Sequence, residues 1–209
     1  DHLEATVNPL ATPMTFLSRG KPLTLDRDAI SQAIPAAKGK LLSLIHGLCM
    51  NDLQWNRRGH DHGVALGREL DLTELHLHYN TGRHISTNGA ELADRIEQLV
   101  QQWPTTITEL NIVAHSMGGL VSRSALHYGR QNNHQWPARL RKLVFLGTPH
   151  HGSPLERGGN LLDRALGISP YTAPFTALGG IRSAGITDLR YGYLVEGDWK
   201  VSRSNRKQR

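Results

Sequence analysis

Hydrophobic positions along the chain fall into short runs that alternate with helical stripes. Leu41-Leu42-Ser43-Leu44-Ile45 follows Gly39-Lys40 as a nearly continuous apolar run, the pattern of a strand covered on both faces. Residues 62–70 read as a helix. Residues 73–79 alternate, with Leu75, Leu77 and Tyr79 on one side and His76 and His78 on the other. That spacing predicts a second strand with one more polar face. Leu92, Ile96, Leu99, Val100 and Trp103 form a stripe at helical spacing, and Pro104 stops it. Residues 110–114 and 143–146 are two further strands, with a helix from 118 to about 129 between them. After residue 155 the pattern weakens. Residues 155–166 and 181–189 have helical spacing, and no strong buried strand follows.

This alternation predicts an α/β fold, with a mostly parallel sheet flanked by helices. Such sheets place their sites in loops beyond the C-terminal ends of the strands. Three unusual loops lie there: His46-Gly47-Leu48, His115-Ser116-Met117-Gly118-Gly119 and Gly147-Thr148-Pro149-His150-His151-Gly152-Ser153.

A chain of 209 residues suits one domain, expected over residues 1–199 with the core motifs in 40–155. With 38% apolar and 20% charged residues it is ordinary globular material, which excludes wholesale disorder, collagen-like repeats and a disulfide scaffold. The net charge of +6 is unevenly spread. Lys200, Arg203, Arg206, Lys207 and Arg209 form a basic tail without an acid, and the rest is near neutral. A solvated tail, not a nucleic-acid partner, is the expectation. No apolar run approaches the roughly 18 residues of a membrane span. The single cysteine, Cys49, fits a reducing compartment, and a cytoplasmic location is expected. The chain starts at Asp1, so a natural N-terminus upstream is expected too.

The most informative stretch is Leu110-Asn111-Ile112-Val113-Ala114-His115-Ser116-Met117-Gly118-Gly119-Leu120. A buried strand runs into a serine and then a helix with almost no loop. Such a turn strains the serine, so small neighbours are required. The usual Gly-x-Ser-x-Gly reads here Ala114, His115, Ser116, Met117, Gly118. Ser116 then lies at a helix N-terminus, where free N–H groups stabilise an anion. The alternative is a plain N-cap serine. In the element that starts seventy residues earlier at His46, Gly47 lets the chain turn so that the next N–H, of Leu48, faces the site. With the N–H of Met117 it makes a two-donor oxyanion hole, each donor worth roughly 2.7–4 kcal/mol in the transition state.

At these residues the sequence resembles the lipase and esterase branch of the α/β-hydrolases, including the inositol-deacylase-like serine hydrolases. The resemblance rests on H-G-L-C-M-N-D (46–52), N-I-V-A-H-S-M-G-G-L-V-S-R (111–123) and L-V-F-L-G-T-P-H-H-G-S-P (143–154). It implies an α/β-hydrolase fold, Ser116 as catalytic nucleophile, and Leu48 and Met117 as oxyanion donors. His46, Gly47, His115 and Gly118 support the loops. The implied reaction cleaves a carboxylic ester, lipid-like or short-acyl, through an acyl-serine, with no cofactor and no metal. Acyl transfer or thioester cleavage on the same fold are alternatives.

A serine nucleophile needs a base, usually a histidine oriented by a carboxylate. In the family the order is Ser, then Asp or Glu, then His. None of the 12 histidines falls in residues 152–209. His127 and His134 follow the elbow helix away from the site. His150 and His151 precede every later acid (Glu156, Asp163, Asp188, Glu196, Asp198), and the resemblance makes their segment a site wall. The expectation is therefore a sheet truncated at its C-terminal side, lacking two triad members, an Asp and a His that are expected beyond residue 209. A catalytically inactive binding or scaffold protein is the rival of another class. The remaining polar groups read as structural: His76 and His78 as polar face residues, Asp61 as a helix-start residue between His60 and His62. Asn51 and Asp52 are expected to brace the oxyanion loop, and Arg123 to be structural.

Overall fold

The computed structural model describes residues 12–152 and 183–200. A hairpin comes first, β1 (Thr15–Ser18) and β2 (Lys21–Pro22). Its two corner residues, Arg19 and Gly20, both have positive φ, as a two-residue hairpin turn requires. Helix α1 (Arg27–Ala33) starts at Asp26, whose carboxylate accepts from the N–H groups of Asp28 and Ala29. Then follow β3 (Lys40–Ile45), a 3₁₀ turn at Asp52–Trp55, and the small ribbon β4 (Asn56–Arg57) and β5 (His60–Asp61). Helix α2 (His62–Glu69), β6 (Thr73–His78), α3 (Ile85–Gln102), β7 (Glu109–His115), α4 (Met117–Gln131) and β8 (Leu140–Leu146) complete the alternating part. Helix α5 (Ala184–Tyr191) lies in the second described stretch.

Six strands form one sheet in the order β2-β1-β6-β3-β7-β8. β6, β3, β7 and β8 are parallel, and β1 joins β6 antiparallel. All four strands expected from the sequence are present, as are the expected helices within the described residues. The helix expected at 155–166 lies outside them, as does the basic tail beyond Lys200. Helix α3 starts at Ile85, seven residues before Leu92, where the stripe that signals it begins, because its first turn is built from Ile85, Ser86 and Asn88, all buried. The hairpin and α1 carry no strong periodicity, and the hairpin adds an antiparallel edge to the sheet.

Helices α3 and α4 pack on one face, over a core that includes Ile45, Leu77, Ile96, Ile112, Ala114 and Leu120. On the other face Leu42, Leu44, Trp55 and Leu72 form a second cluster with Leu66 of α2. Here α2 covers His76 on the face of β6 that alternation marks as polar, while His78 on that face stays partly exposed. His76 is 6% exposed, with its ring against Gly63. Among the described residues the coverage ends before β8. Val144 and Leu146 on that strand are 41% and 42% exposed among the described residues. No helix among the described residues is long and apolar enough to cross a membrane.

Candidate active site

Ser116 joins β7 to α4 with φ 51° and ψ −121°, a conformation that side-chain-bearing residues rarely adopt. Its N–H donates to Leu146 O at 2.8 Å, which extends the β7–β8 pairing through the turn. Its hydroxyl does not cap α4. The plain N-cap reading fails on both counts, since an N-cap residue is extended and bonds to the second or third N–H of its helix. The turn is tight because α4 begins immediately behind it. A Cβ on Gly118 would lie 2.5 Å from His46 O and 2.7 Å from Ile45 O, so no larger residue fits between α4 and the end of β3.

The structure brings the His46-Gly47-Leu48 turn against this serine. A Cβ on Gly47 would stand 3.0 Å from His115 Nδ1 and 3.1 Å from Ser116 Cβ. The turn closes through Met50 N–H to Gly47 O at 3.3 Å, with Cys49 at φ 54°. The Leu48 N–H is not the donor that closes it, and no acceptor for it is found among the described residues. Met117 is the first residue of α4, so its N–H has no acceptor within the helix. Behind the turn, His46 is buried and stacks on Tyr79 with ring centroids 4.5 Å apart. The Tyr79 hydroxyl donates to His46 O at 2.9 Å. Burial holds His46 down at about 4, so it is neutral at pH 7, and burial also lowers His115. Cys49 N–H donates to Thr81 Oγ1 at 3.3 Å, which ties the turn to the loop after β6.

The neighbouring groups take structural partners. Asp61 caps α2 by accepting from Val64 N–H at 2.9 Å. Asn51 Oδ1 accepts from Leu53 N–H and so caps the 3₁₀ turn instead of bracing residues 46–48, and Asp52 turns to His78 at 3.5 Å. Arg123 Nη1 lies 3.1 Å from His150 Nδ1, and His150 packs edge-on to Phe145. Desolvation, then Arg123, keeps His150 low. His134 pairs with Asp94 and His127 is exposed. No hydrogen bond joins any histidine to Ser116 among the described residues. Nor could any group of three or more His, Cys, Asp or Glu among them hold a metal ion.

One pair escapes sequence reasoning. Asp188 on α5 is fully buried and accepts from His84 Nδ1 at 2.9 Å and from Ile85 N–H at 2.8 Å. In sequence Asp188 is only one of the acids that follow Ser116, and His84 carries no motif. The available signal was the start of α3, which has no Ser, Thr, Asp or Asn of its own to cap it, so an acceptor had to come from elsewhere. The ring of His84 also stacks on Trp199, with centroids 4.1 Å apart and planes 7° from parallel.

Two solved structures share this architecture. They are the mature and propeptide forms of the Bacillus licheniformis lipase BlEst2, at 20% and 21% identity, with TM-scores of 0.52 and 0.53. The match covers 79% and 80% of this chain, but only 60% and 33% of the lipase chains. The chain thus has an α/β-hydrolase fold and spans less than two thirds of those neighbours. No curated protein matches it in sequence. A family model described as a domain of unknown function (DUF7379) matches residues 16–185, and the chain belongs to that family.

Proposed function

We propose that the chain carries the nucleophile and oxyanion portion of a serine ester hydrolase. The observation that carries the reading is the backbone of Ser116. A non-glycine residue at φ 51° and ψ −121°, between a buried strand and an uncapped helix, is a costly way to join two elements. Strain of that kind, about 1–3 kcal/mol, has a reason if the hydroxyl must stand clear of the sheet. Ser116 Oγ attacks the ester carbonyl and gives up its proton to a base. The N–H groups of Leu48 and Met117 hold the oxyanion. Collapse of the intermediate expels the alcohol, protonated by the same base, and leaves an acyl-serine, which water then cleaves. The reading assigns the base and its acid to residues outside those described, and it needs no cofactor.

The substrate proposed is a carboxylic ester, lipid-like or short-acyl. The finer likeness to inositol-deacylase-like hydrolases rests on the three motifs alone. Acyl transfer and thioester cleavage follow from the same site with another acceptor or leaving group. An inactive ester-binding protein is the second reading, favoured by the absence of a histidine bonded to Ser116 among the described residues. Treatment with a serine-directed fluorophosphonate, followed by intact mass, separates the two. The protein from its native source and the 209-residue chain are both measured, with Ser116→Ala as control. One adduct lost in the variant is the expected result. An unlabelled native protein gives the binding reading its support.

A further inference from the structure

Asp188 stands 104 residues from His84 in sequence and is fully buried at the N-terminus of α3. Its carboxylate does what a capping side chain does, but from another helix. It occupies the positive end of α3, satisfying the Ile85 N–H and fixing the His84 ring. Removing it leaves a buried N–H and a histidine without their acceptor, so the interaction selects one docked position for α5.

That position is transmitted to the serine turn by a short series of contacts. Gly185 on α5 donates its N–H to Gly82 O at 3.2 Å. A Cβ there would run into Thr81 O, and would lie 2.8 Å from Arg83 O and 3.1 Å from Met117 Cε. Helix α5 therefore presses the loop after β6 on one side. On the other side the same loop holds the oxyanion turn, through Thr81 Oγ1 to Cys49 N–H and Tyr79 OH to His46 O. Asn80 ties it to α3, its carbonyl accepting from Asn88 Nδ2 at 2.9 Å.

We propose that Asp188 is a positioning residue for the Ser116 site: by capping α3 from α5 it holds the loop of residues 79–84 against the oxyanion turn and Met117. The residue touches no substrate. It acts on where the Leu48 and Met117 N–H groups stand, and so rests on the reading of Ser116 as nucleophile. Oxyanion donors are demanding of position, and a displacement of about 1 Å costs on the order of 100-fold in rate.

The test uses the full chain carrying Asp188→Asn and, as a second and more direct way of disturbing the docking of α5, Gly185→Ala. Leu99→Ala, a core change in α3 far from the turn, is the control for stability. Amide hydrogen exchange is read at residues 47–51 and at Met117. Faster exchange there in both variants, beyond that in the control, is expected. Exchange that rises only at Ile85 and residues 183–200 overturns the proposal, and this arm does not depend on Ser116 being reactive. Where wild-type Ser116 is labelled by the fluorophosphonate, the concentration dependence of labelling is the second arm. The maximal rate should fall about tenfold or more in both variants, with the half-saturating concentration little changed. An unchanged maximal rate also overturns the proposal. A wild-type protein that never labels counts against the nucleophile reading alone, and the exchange arm still decides the role of Asp188.

Discussion

Ser116 holds a backbone conformation that glycine adopts without penalty and serine does not. Replacing it with glycine removes the hydroxyl and the strain together. Ser116→Gly is expected to stabilise the protein by about 1 kcal/mol, a fraction of the roughly 1–3 kcal/mol that such a conformation stores. Urea unfolding of the two proteins measures it, and a loss of stability in the variant would show that the turn is not strained. The opposite holds two residues on. Gly118 faces two carbonyl oxygens at 2.5 and 2.7 Å from where a Cβ would sit. These belong to the end of β3, which cannot yield as a flexible side chain can. Gly118→Ala is expected to cost about 2 kcal/mol, and to move the His46-Gly47 turn relative to Ser116. A variant as stable as the parent, with unaltered chemical shifts at residues 46–48, would contradict this.

Helix α2 is the element that buries His76 on the polar face of β6. It lays Gly63 on His76 and closes the cluster of Leu42, Leu44, Trp55 and Leu72. Its start depends on Asp61, so Asp61→Ala is expected to destabilise the protein by about 1 kcal/mol in urea unfolding, and an unchanged midpoint would deny the cap any role. Local patterns made much of this legible. Apolar runs and stripes are set by which faces are buried, so β3, β7, α3 and α4 could be read from spacing. Ser116 and Gly47 could be read because a strained turn dictates its own small neighbours. Long-range pairing was not legible. The face of β6 looked polar because the helix covering it cannot be inferred from residues 73–79. The β1–β2 turn uses Arg19-Gly20, not a usual hairpin pair. Nothing near residue 84 says that its partner is residue 188.

The sheet runs through the alternating part of the chain, and one of its inner strands ends at a buried histidine. His46 follows β3, which is paired on both sides, and its ring is sealed under Tyr79 with 1% exposure. Burial first, and then the like charges of His78 and His115 set against the opposing effects of Gly47 O and Asp52, holds its pKa at about 4, against 6.5 in the unfolded chain. Between those values the unfolded chain binds the proton and the native protein does not. Stability therefore falls as pH drops from about 6.5 to about 4, with a loss of about 3 kcal/mol when the window has been crossed. His115, also lowered by burial, adds to the same slope. Asp188 has the opposite sign. Desolvation raises its carboxyl above 3.8 despite the bonds from Ile85 and His84, so the native state takes up its proton first and gains stability as the pH falls. Unfolding free energies measured in urea between pH 7.5 and pH 4 should separate the two. His46→Gln is expected to flatten the acid slope and Asp188→Asn to steepen it. Equal slopes in His46→Gln and the parent would mean that the proton taken up on acid unfolding goes elsewhere, and that the buried ring behind the His46-Gly47 turn does not govern the protein's acid sensitivity.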